Sequence, residues 1–265
     1  MKLLALLMGM GLAWEAFAQE RVTLQTRPGV TQSFFIADMG KRRPEAVALL
    51  LAGGGGNIRL RVEEGEIKFQ TGNFLPRSRN AFIRNRILPV ILDAPADQQA
   101  GMSDTFRRSA EHSIDLRAVL AEVKQRYPGL PVFLVGTSRS TISVANLAAS
   151  LDREIAGAVF TASLFYDRGG KSRQPLLLGF QWSAIRVPVL LVHHVDDACG
   201  ATPYEAAARL SQRFAFPLIS VKGGKPNQSG FCEPLSAHGF YGKEAETVAA
   251  IAGWMLQKPF PKEIE

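Results

Sequence analysis

Six apolar runs of four to six residues recur along the chain with helix-like segments between them, and that alternation constrains the fold more than any other feature. The runs are Val47–Ala52, Leu88–Leu92, Val132–Val135, Ala158–Thr161, Val189–Val192 and Leu218–Val221. Continuous apolar strands of this kind suit a parallel sheet buried on both faces, because each face must be covered by helices. Pro89 weakens the second run, since proline cannot donate to a ladder. Val22–Thr26 and Gln32–Ile36, joined across Arg27-Pro28-Gly29, read as an antiparallel hairpin that opens the sheet. The expected architecture is α/β, with a mostly parallel central sheet of about eight strands and helices on both faces.

The intervening helices are predicted over Ser109–Arg126, Thr141–Leu151, Pro203–Phe214 and Lys243–Leu256. The first carries an apolar stripe of Ile114, Leu116, Val119, Leu120 and Val123 and stops at Pro128-Gly129. Two stretches lack such patterning, Arg61–Arg79 and Leu164–Ile185. The second holds Phe165, Tyr166, Phe180 and Trp182, which makes it a candidate wall or lid of a site, with Phe165, Tyr166 and Trp182 as candidate pocket residues. Without a repeat or linker, residues 19–265 read as one domain.

The N-terminus has its own signature. Lys2, the apolar stretch Leu3–Trp14 and the small-x-small Ala16-Phe17-Ala18 form a secretory signal with cleavage expected after Ala18. The stretch is shorter than the roughly 20 residues a spanning helix needs, which favours cleavage over anchoring. Export to the periplasm or the medium follows, and in an oxidising compartment Cys199 and Cys232 are expected to form a disulfide. A formal net charge of +7 comes from clusters such as Lys41-Arg42-Arg43, Arg77 to Arg86 and Arg107-Arg108. These read as solvated surface that offers weak contact with anionic surfaces. No nucleic-acid motif accompanies them, so nucleic acid is not an expected partner. The oligomeric state is open, with a monomer favoured.

One segment carries chemistry. Val132-Phe133-Leu134-Val135-Gly136-Thr137-Ser138-Arg139-Ser140 joins a buried strand directly to a helix, with a serine in the turn and small residues two places either side. A strained strand-turn-helix of this form exposes the serine hydroxyl, and only small neighbours permit it. In these residues the chain resembles the α/β-hydrolase superfamily, whose elbow is Gly-x-Ser-x-Gly, here ending in Ser140. Exported serine esterases and dienelactone-hydrolase-like enzymes are the members it looks most like.

The resemblance implies a set of partners for Ser138. Gly53-Gly54-Gly55-Gly56 after Val47–Ala52 lies where the superfamily places half of its oxyanion hole, which assigns the N–H groups of Arg139 and of Gly54 or Gly55 as donors. Many relatives have histidine before these glycines, whereas this chain has Ala52. The acid belongs after Val189–Val192, where Asp196 and Asp197 are adjacent; the pattern His-x-x-x-Asp from His193 favours Asp197, with Asp196 as the alternative. The general base belongs before the last helix, at His238. The chain order Ser138, Asp197, His238 is the superfamily's order.

The other histidines read differently. His112 is a surface or satisfied packing residue, and His193 and His194 support the acid loop. No metal spacing is present, and neither a metal nor another cofactor is expected. A disulfide from Cys199 to Cys232 would tie the acid loop to the histidine loop. The expected activity is that of a carboxylesterase acting on a small-molecule acyl substrate. Peptidase, thioesterase and lactone hydrolase are its relatives in chemistry, and a noncatalytic envelope-binding protein is the alternative from another class.

Overall fold

A computed structural model describes residues 19–167 and 174–265 of the chain. Residues 1–18, where the secretory signal is expected, and residues 168–173 of the second excursion lie outside the described residues.

The strands are β1 (Glu20–Arg27), β2 (Val30–Ile36), β3 (Ala46–Leu51), β4 (Arg61–Glu63), β5 (Glu66–Lys68), β6 (Ile87–Leu92), β7 (Val132–Thr137), β8 (Gly157–Thr161), β9 (Val189–His194), β10 (Leu218–Val221) and β11 (Glu263–Ile264). The helices are α1 (Phe74–Arg77), α2 (Arg79–Arg84), α3 (Asp104–Arg107), α4 (Ala110–Arg126), α5 (Ser140–Ser150), α6 (Tyr204–Phe214) and α7 (Glu244–Met255). The main sheet has nine strands rather than about eight, in the order β1-β2-β6-β3-β7-β8-β9-β10-β11. The extra one is the two-residue β11, which is too short to carry an apolar pattern. β1–β2 and β2–β6 pair antiparallel, and every later pairing is parallel.

The apolar runs alternate between two cores. Val47, Leu49 and Leu51 of β3 join the core with Leu116, Val119 and Leu120 of α4 and Val144 and Leu147 of α5. Ala46, Ala48 and Leu50 face the other core, with Phe82 of α2 and Val248 and Ile251 of α7. This is the period-two alternation of a strand with helices on either side. Pro89 is accommodated because the antiparallel register with β2 runs from Leu92 to Val90 and ends before it.

The helical stripe of α4 departs from expectation at two positions. Ile114 is exposed, and the next residue, Asp115, is fully buried instead. Arg27 of β1 donates from Nε and Nη2 to the two Asp115 oxygens at 2.9 Å each and reaches Asp97 as well. Removing one partner of such a buried pair costs about 3–5 kcal/mol. The pair therefore pins the opening hairpin onto α4. The unpatterned stretch Arg61–Arg79 resolves into the β4–β5 hairpin, α1 and the start of α2. Its strands are mostly exposed and only three residues long, which hid them from periodicity.

Candidate active site

β7 ends at Thr137 and α5 begins at Ser140, so Ser138 and Arg139 make the whole connection. Ser138 has φ +53°, a left-handed conformation that costs a side-chain-bearing residue about 1–2 kcal/mol. Surrounding contacts hold it there. Its N–H donates to the Thr161 carbonyl at 3.0 Å, and its carbonyl accepts from the Thr141 hydroxyl at 2.5 Å. Gly136 is required because a Cβ would lie 2.6 Å from Val144 and 3.0 Å from the Ser140 carbonyl. Ser140, the departure from the usual glycine, is fully buried; its hydroxyl donates to the Leu51 carbonyl at 2.6 Å and accepts from the Thr137 N–H at 2.8 Å. It thereby fastens the end of β3 to the turn.

Beyond β3 the glycine loop folds back against that turn. A side chain on Gly53 would sit 3.0 Å from the Thr137 carbonyl and 3.2 Å from Ser138 Cβ. Gly54 and Gly56 have φ +61° and +76°, values that favour glycine. The loop is held from behind. Arg107 of α3 is wholly buried; Nη2 donates to the Gly54 carbonyl at 2.9 Å and Nη1 to Ser143 Oγ on α5 at 3.1 Å. Burial, with Arg139 nearby, lowers the Arg107 pKa to about 10. The Met102 N–H donates to the Gly55 carbonyl at 2.8 Å, and Arg139 Nε pairs with Asp104 at 2.7 Å. Arg107 is thus not the surface charge that its neighbourhood in the sequence suggests.

On the opposite side β9 delivers Asp197, and the turn after β10 delivers His238. Asp197 Oδ2 lies 2.9 Å from His238 Nδ1, with both side chains almost fully buried. The Asp196 side chain is 73 % exposed and does not face His238. Asp197 also accepts from the Cys199 N–H at 2.9 Å and from the Thr202 hydroxyl at 2.7 Å. Cys199 and Cys232 form a disulfide, so the acid loop and the histidine loop are joined covalently. Asp197, Cys199 and His238 cluster closely enough to suggest a metal site, but a disulfide sulfur is no thiolate ligand, so the donor set does not fit one.

Ser138 and His238 line one cavity of about 570 Å3 together with Gly53, Gly54 and Gly55. Among the described residues, no hydrogen bond of ordinary length links the Ser138 hydroxyl to His238. The remaining wall is mixed, with Asn57, Gln70, Thr71, Asn73 and Glu233 beside Ala52, Ile58, Phe74 and Pro234.

The aromatic candidates lie away from the Ser138 cavity. Phe165 and Trp182 are buried in the core and line a different hollow of about 370 Å3, with Leu177 and Phe180. Trp182 packs edge-on against Phe160 and Phe180, and Phe165 stacks on His193 at 5.7 Å. Tyr166 packs against the same core, outside the Ser138 cavity. The reading of His112 is corrected: it is buried, and both ring nitrogens are without a partner among the described residues. Burial and the nearby Arg107 charge pull its pKa down to about 3. His193 accepts the Ser163 N–H at 3.0 Å, and burial holds its pKa at about 3. His194 sits between the Gly223 carbonyl and the Asp196 N–H.

No protein-family model matches the chain, and neither does any curated protein. Solved structures do. Est1E from Butyrivibrio proteoclasticus superposes with a TM-score of 0.58 at 14% identity, covering 89% of this chain and 98% of that one. XC6422 from Xanthomonas campestris, described as an α/β serine hydrolase without lid, gives 0.56 at 15%, covering 87% and 94%. The Pyrococcus furiosus esterase Pf2001 gives 0.54 at 16%, covering 78% and 84%. The chain has the α/β-hydrolase fold.

Within this α/β-hydrolase fold, several residues that shape the cavity escaped sequence reasoning. Thr202 lies 3.2 Å from His238 Nδ1 as well as bonding Asp197. Arg77 binds the carbonyls of Pro234 at 3.1 Å, Gly239 at 2.9 Å and Gly72, and pairs with Glu244 at 3.0 Å. It clamps the histidine loop to α1 and α7. Asp93 accepts the N–H groups of Ile58, Leu60 and Ala94 at 2.8–3.0 Å and so anchors the chain leaving the glycine loop. Buried Asp93 could have been flagged from its position at the end of an apolar run. The arginines had no such signal.

Proposed function

We propose that this chain is a serine hydrolase that cleaves a carboxylic ester, or a closely related acyl bond, through an acyl-enzyme on Ser138. The observation that carries the reading is the buried 2.9 Å contact between Asp197 Oδ2 and His238 Nδ1 on a cavity that Ser138 also lines. The elbow strain at Ser138 and the glycine loop beside it support the same reading. Asp197 holds His238 with its proton on Nδ1, which leaves Nε2 free to take the Ser138 proton. The hydroxyl then attacks the acyl carbon. The Arg139 N–H and that of Gly54 or Gly55 receive the developing oxyanion, and His238 returns the proton to the leaving group. Water repeats the sequence and releases the acid. Such hydrogen bonds commonly tighten only when substrate is bound, so a catalytic Ser138–His238 contact does not need to be formed beforehand.

The esterases and the serine hydrolase among the similar solved structures favour ester cleavage over other acyl chemistry. The cavity volume suits a small molecule, and its mixed polar and apolar wall suits an ester of modest size. A disulfide supports export to an oxidising compartment, as the N-terminal signal reading requires. The decisive experiment is covalent labelling with a fluorophosphonate probe beside the Ser138→Ala variant. Labelling that disappears in the variant is expected; well-folded wild-type protein that takes no label would sink the hydrolase reading in favour of a noncatalytic binder. A turnover screen across acyl lengths, amides, thioesters and lactones then assigns the bond.

A further inference from the structure

Asn73 stands just before α1, in a stretch whose sequence shows no pattern. Its side-chain oxygen is structural, since Oδ1 accepts the Leu75 N–H at 3.4 Å and caps the short helix. With Oδ1 turned to that N–H, Nδ2 points the other way. Nδ2 lies 3.1 Å from the point where a Gly53 side chain would begin, and Ser138 Cβ lies 3.2 Å from that same point. The space is empty because residue 53 is glycine. Asn73 also lines the cavity with Ser138 and His238, and among the described residues no acceptor is bonded to Nδ2. An amide nitrogen with two donor hydrogens therefore faces the volume next to the serine, with no bonded acceptor among the described residues.

The acyl carbon attacked by Ser138 is bonded to Oγ, one atom beyond Cβ, so the oxygen that becomes negative forms within the same small volume. We infer that Asn73 Nδ2 is a catalytic donor to that oxygen, a side-chain member of the oxyanion hole beside the backbone N–H groups. The inference rests on the hydrolase reading of Ser138. It gives a reason for glycine at position 53, the one glycine of the loop whose side-chain direction points at the serine: a Cβ there would crowd both Nδ2 and Ser138. Arg77, three positions after α1 begins, ties this segment to the Pro234 and Gly239 carbonyls, so the donor is held at a fixed distance from the histidine loop.

Capping and catalysis make opposite demands on substitutions. Asn73→Ser and Asn73→Asp both keep a capping oxygen, and aspartate is as good a cap as asparagine. Both lose the Nδ2 donor, and aspartate puts a negative charge beside the oxyanion. With p-nitrophenyl acetate, Asn73→Ser is expected to lower kcat about 100-fold, as loss of one oxyanion donor does, with KM within about threefold. Asn73→Asp is expected to be slower still. Phenylboronic acid, which forms a tetrahedral adduct on the serine, should bind more weakly to Asn73→Ser by a factor that follows the loss in kcat/KM. Thermal midpoints of both variants should match the wild type.

Aspartate or serine variants with wild-type kcat would overturn the assignment, as would a raised KM at unchanged kcat. Equal losses in both variants accompanied by a lowered thermal midpoint would reduce Asn73 to a cap. If wild-type protein turns over no ester and takes no fluorophosphonate label, the hydrolase reading itself fails, and that result is distinct from an active enzyme indifferent to Asn73.

Discussion

The two walls of the Ser138 cavity are built by different means. The wall bearing Asp197 and His238 joins distant segments by strong links: a disulfide spanning a sequence separation of 33, the Arg77–Glu244 pair and the Arg77 hydrogen bonds to Pro234 and Gly239. The wall bearing Ser138 and the glycine loop relies on close packing of backbone and on one buried cation, Arg107, that grips carbonyl oxygen. Groups that move protons need a fixed partner, and covalent and ionic ties supply it. Backbone N–H donors need a fixed orientation, which is set most directly by holding the carbonyl of the neighbouring peptide.

The sharpest way to break the comparison is on the acid–base wall. Asp197→Asn should reduce turnover of p-nitrophenyl acetate by about 10⁴-fold, because the amide favours the wrong imidazole tautomer. Asp196→Asn should stay within about twofold of wild type, since that side chain points to solvent. Equal losses in the two variants would place the acid elsewhere.

On the serine wall, Arg107→Met tests whether the cation serves orientation or stability. Arg107 is buried without an acidic partner bonded to it, and burial disfavours its charge. Methionine keeps the packing but leaves the Gly54 carbonyl and the Ser143 hydroxyl without their donor, so unfolding free energy by urea titration should fall by about 1–3 kcal/mol. Activity should fall about 100-fold, because the Gly54 peptide is free to turn and small misplacements of donors cost that much. A variant that loses stability but keeps kcat would make Arg107 purely structural.

That contrast also explains what could be read from the chain alone. The sheet was legible because doubly covered strands are continuous apolar runs, as in Val47–Ala52 and Val189–Val192. The residues that gather around the cavity were legible because each follows a strand end in a recognisable order. Which of Asp196 and Asp197 turns inward depends on the backbone of one turn, and alternation alone does not fix it. Arg77 and Arg107 stand in basic clusters that read as solvated charge, and only tertiary contacts turn them inward. Phe165 and Trp182 lie away from the Ser138 cavity for the converse reason: large apolar side chains report burial far more often than contact with ligand.

The disulfide should matter less to chemistry than Arg107 does, and more to stability. Closing a loop of this length is worth about 3–4 kcal/mol in the unfolded chain. The Cys199→Ala/Cys232→Ala double variant should lose roughly that much by urea titration. Thr202, the Cys199 N–H and Arg77 still hold Asp197 and the histidine loop, so kcat should fall only about tenfold. A loss of kcat as large as that in Arg107→Met would mean that the covalent tie, not the hydrogen bonds, positions the pair.

Each wall is backed by one buried neutral histidine, and here the expected effects are smallest. His112 lies on the serine side and His193 on the acid side, each with its pKa lowered to about 3, chiefly by burial. Both stay neutral in the folded protein, whereas the unfolded chain protonates them near the ordinary value of 6.5. The unfolded state thus binds more protons as pH falls from about 6.5 to about 3. Stability is fully present above 6.5 and is lost across that window, by about 1.4 kcal/mol per pH unit for each histidine. His112→Phe and His193→Phe should each flatten the pH dependence of unfolding free energy by that one-proton slope. They should differ at pH 7.5, because His193 accepts the Ser163 N–H while the His112 ring nitrogens have no partner among the described residues. His193→Phe leaves a buried donor unpaired and should cost about 1–3 kcal/mol, whereas His112→Phe should be neutral or stabilising. If His112→Phe costs as much as His193→Phe, the His112 ring has a polar partner, and the serine wall is hydrogen-bonded at its back as the acid wall is.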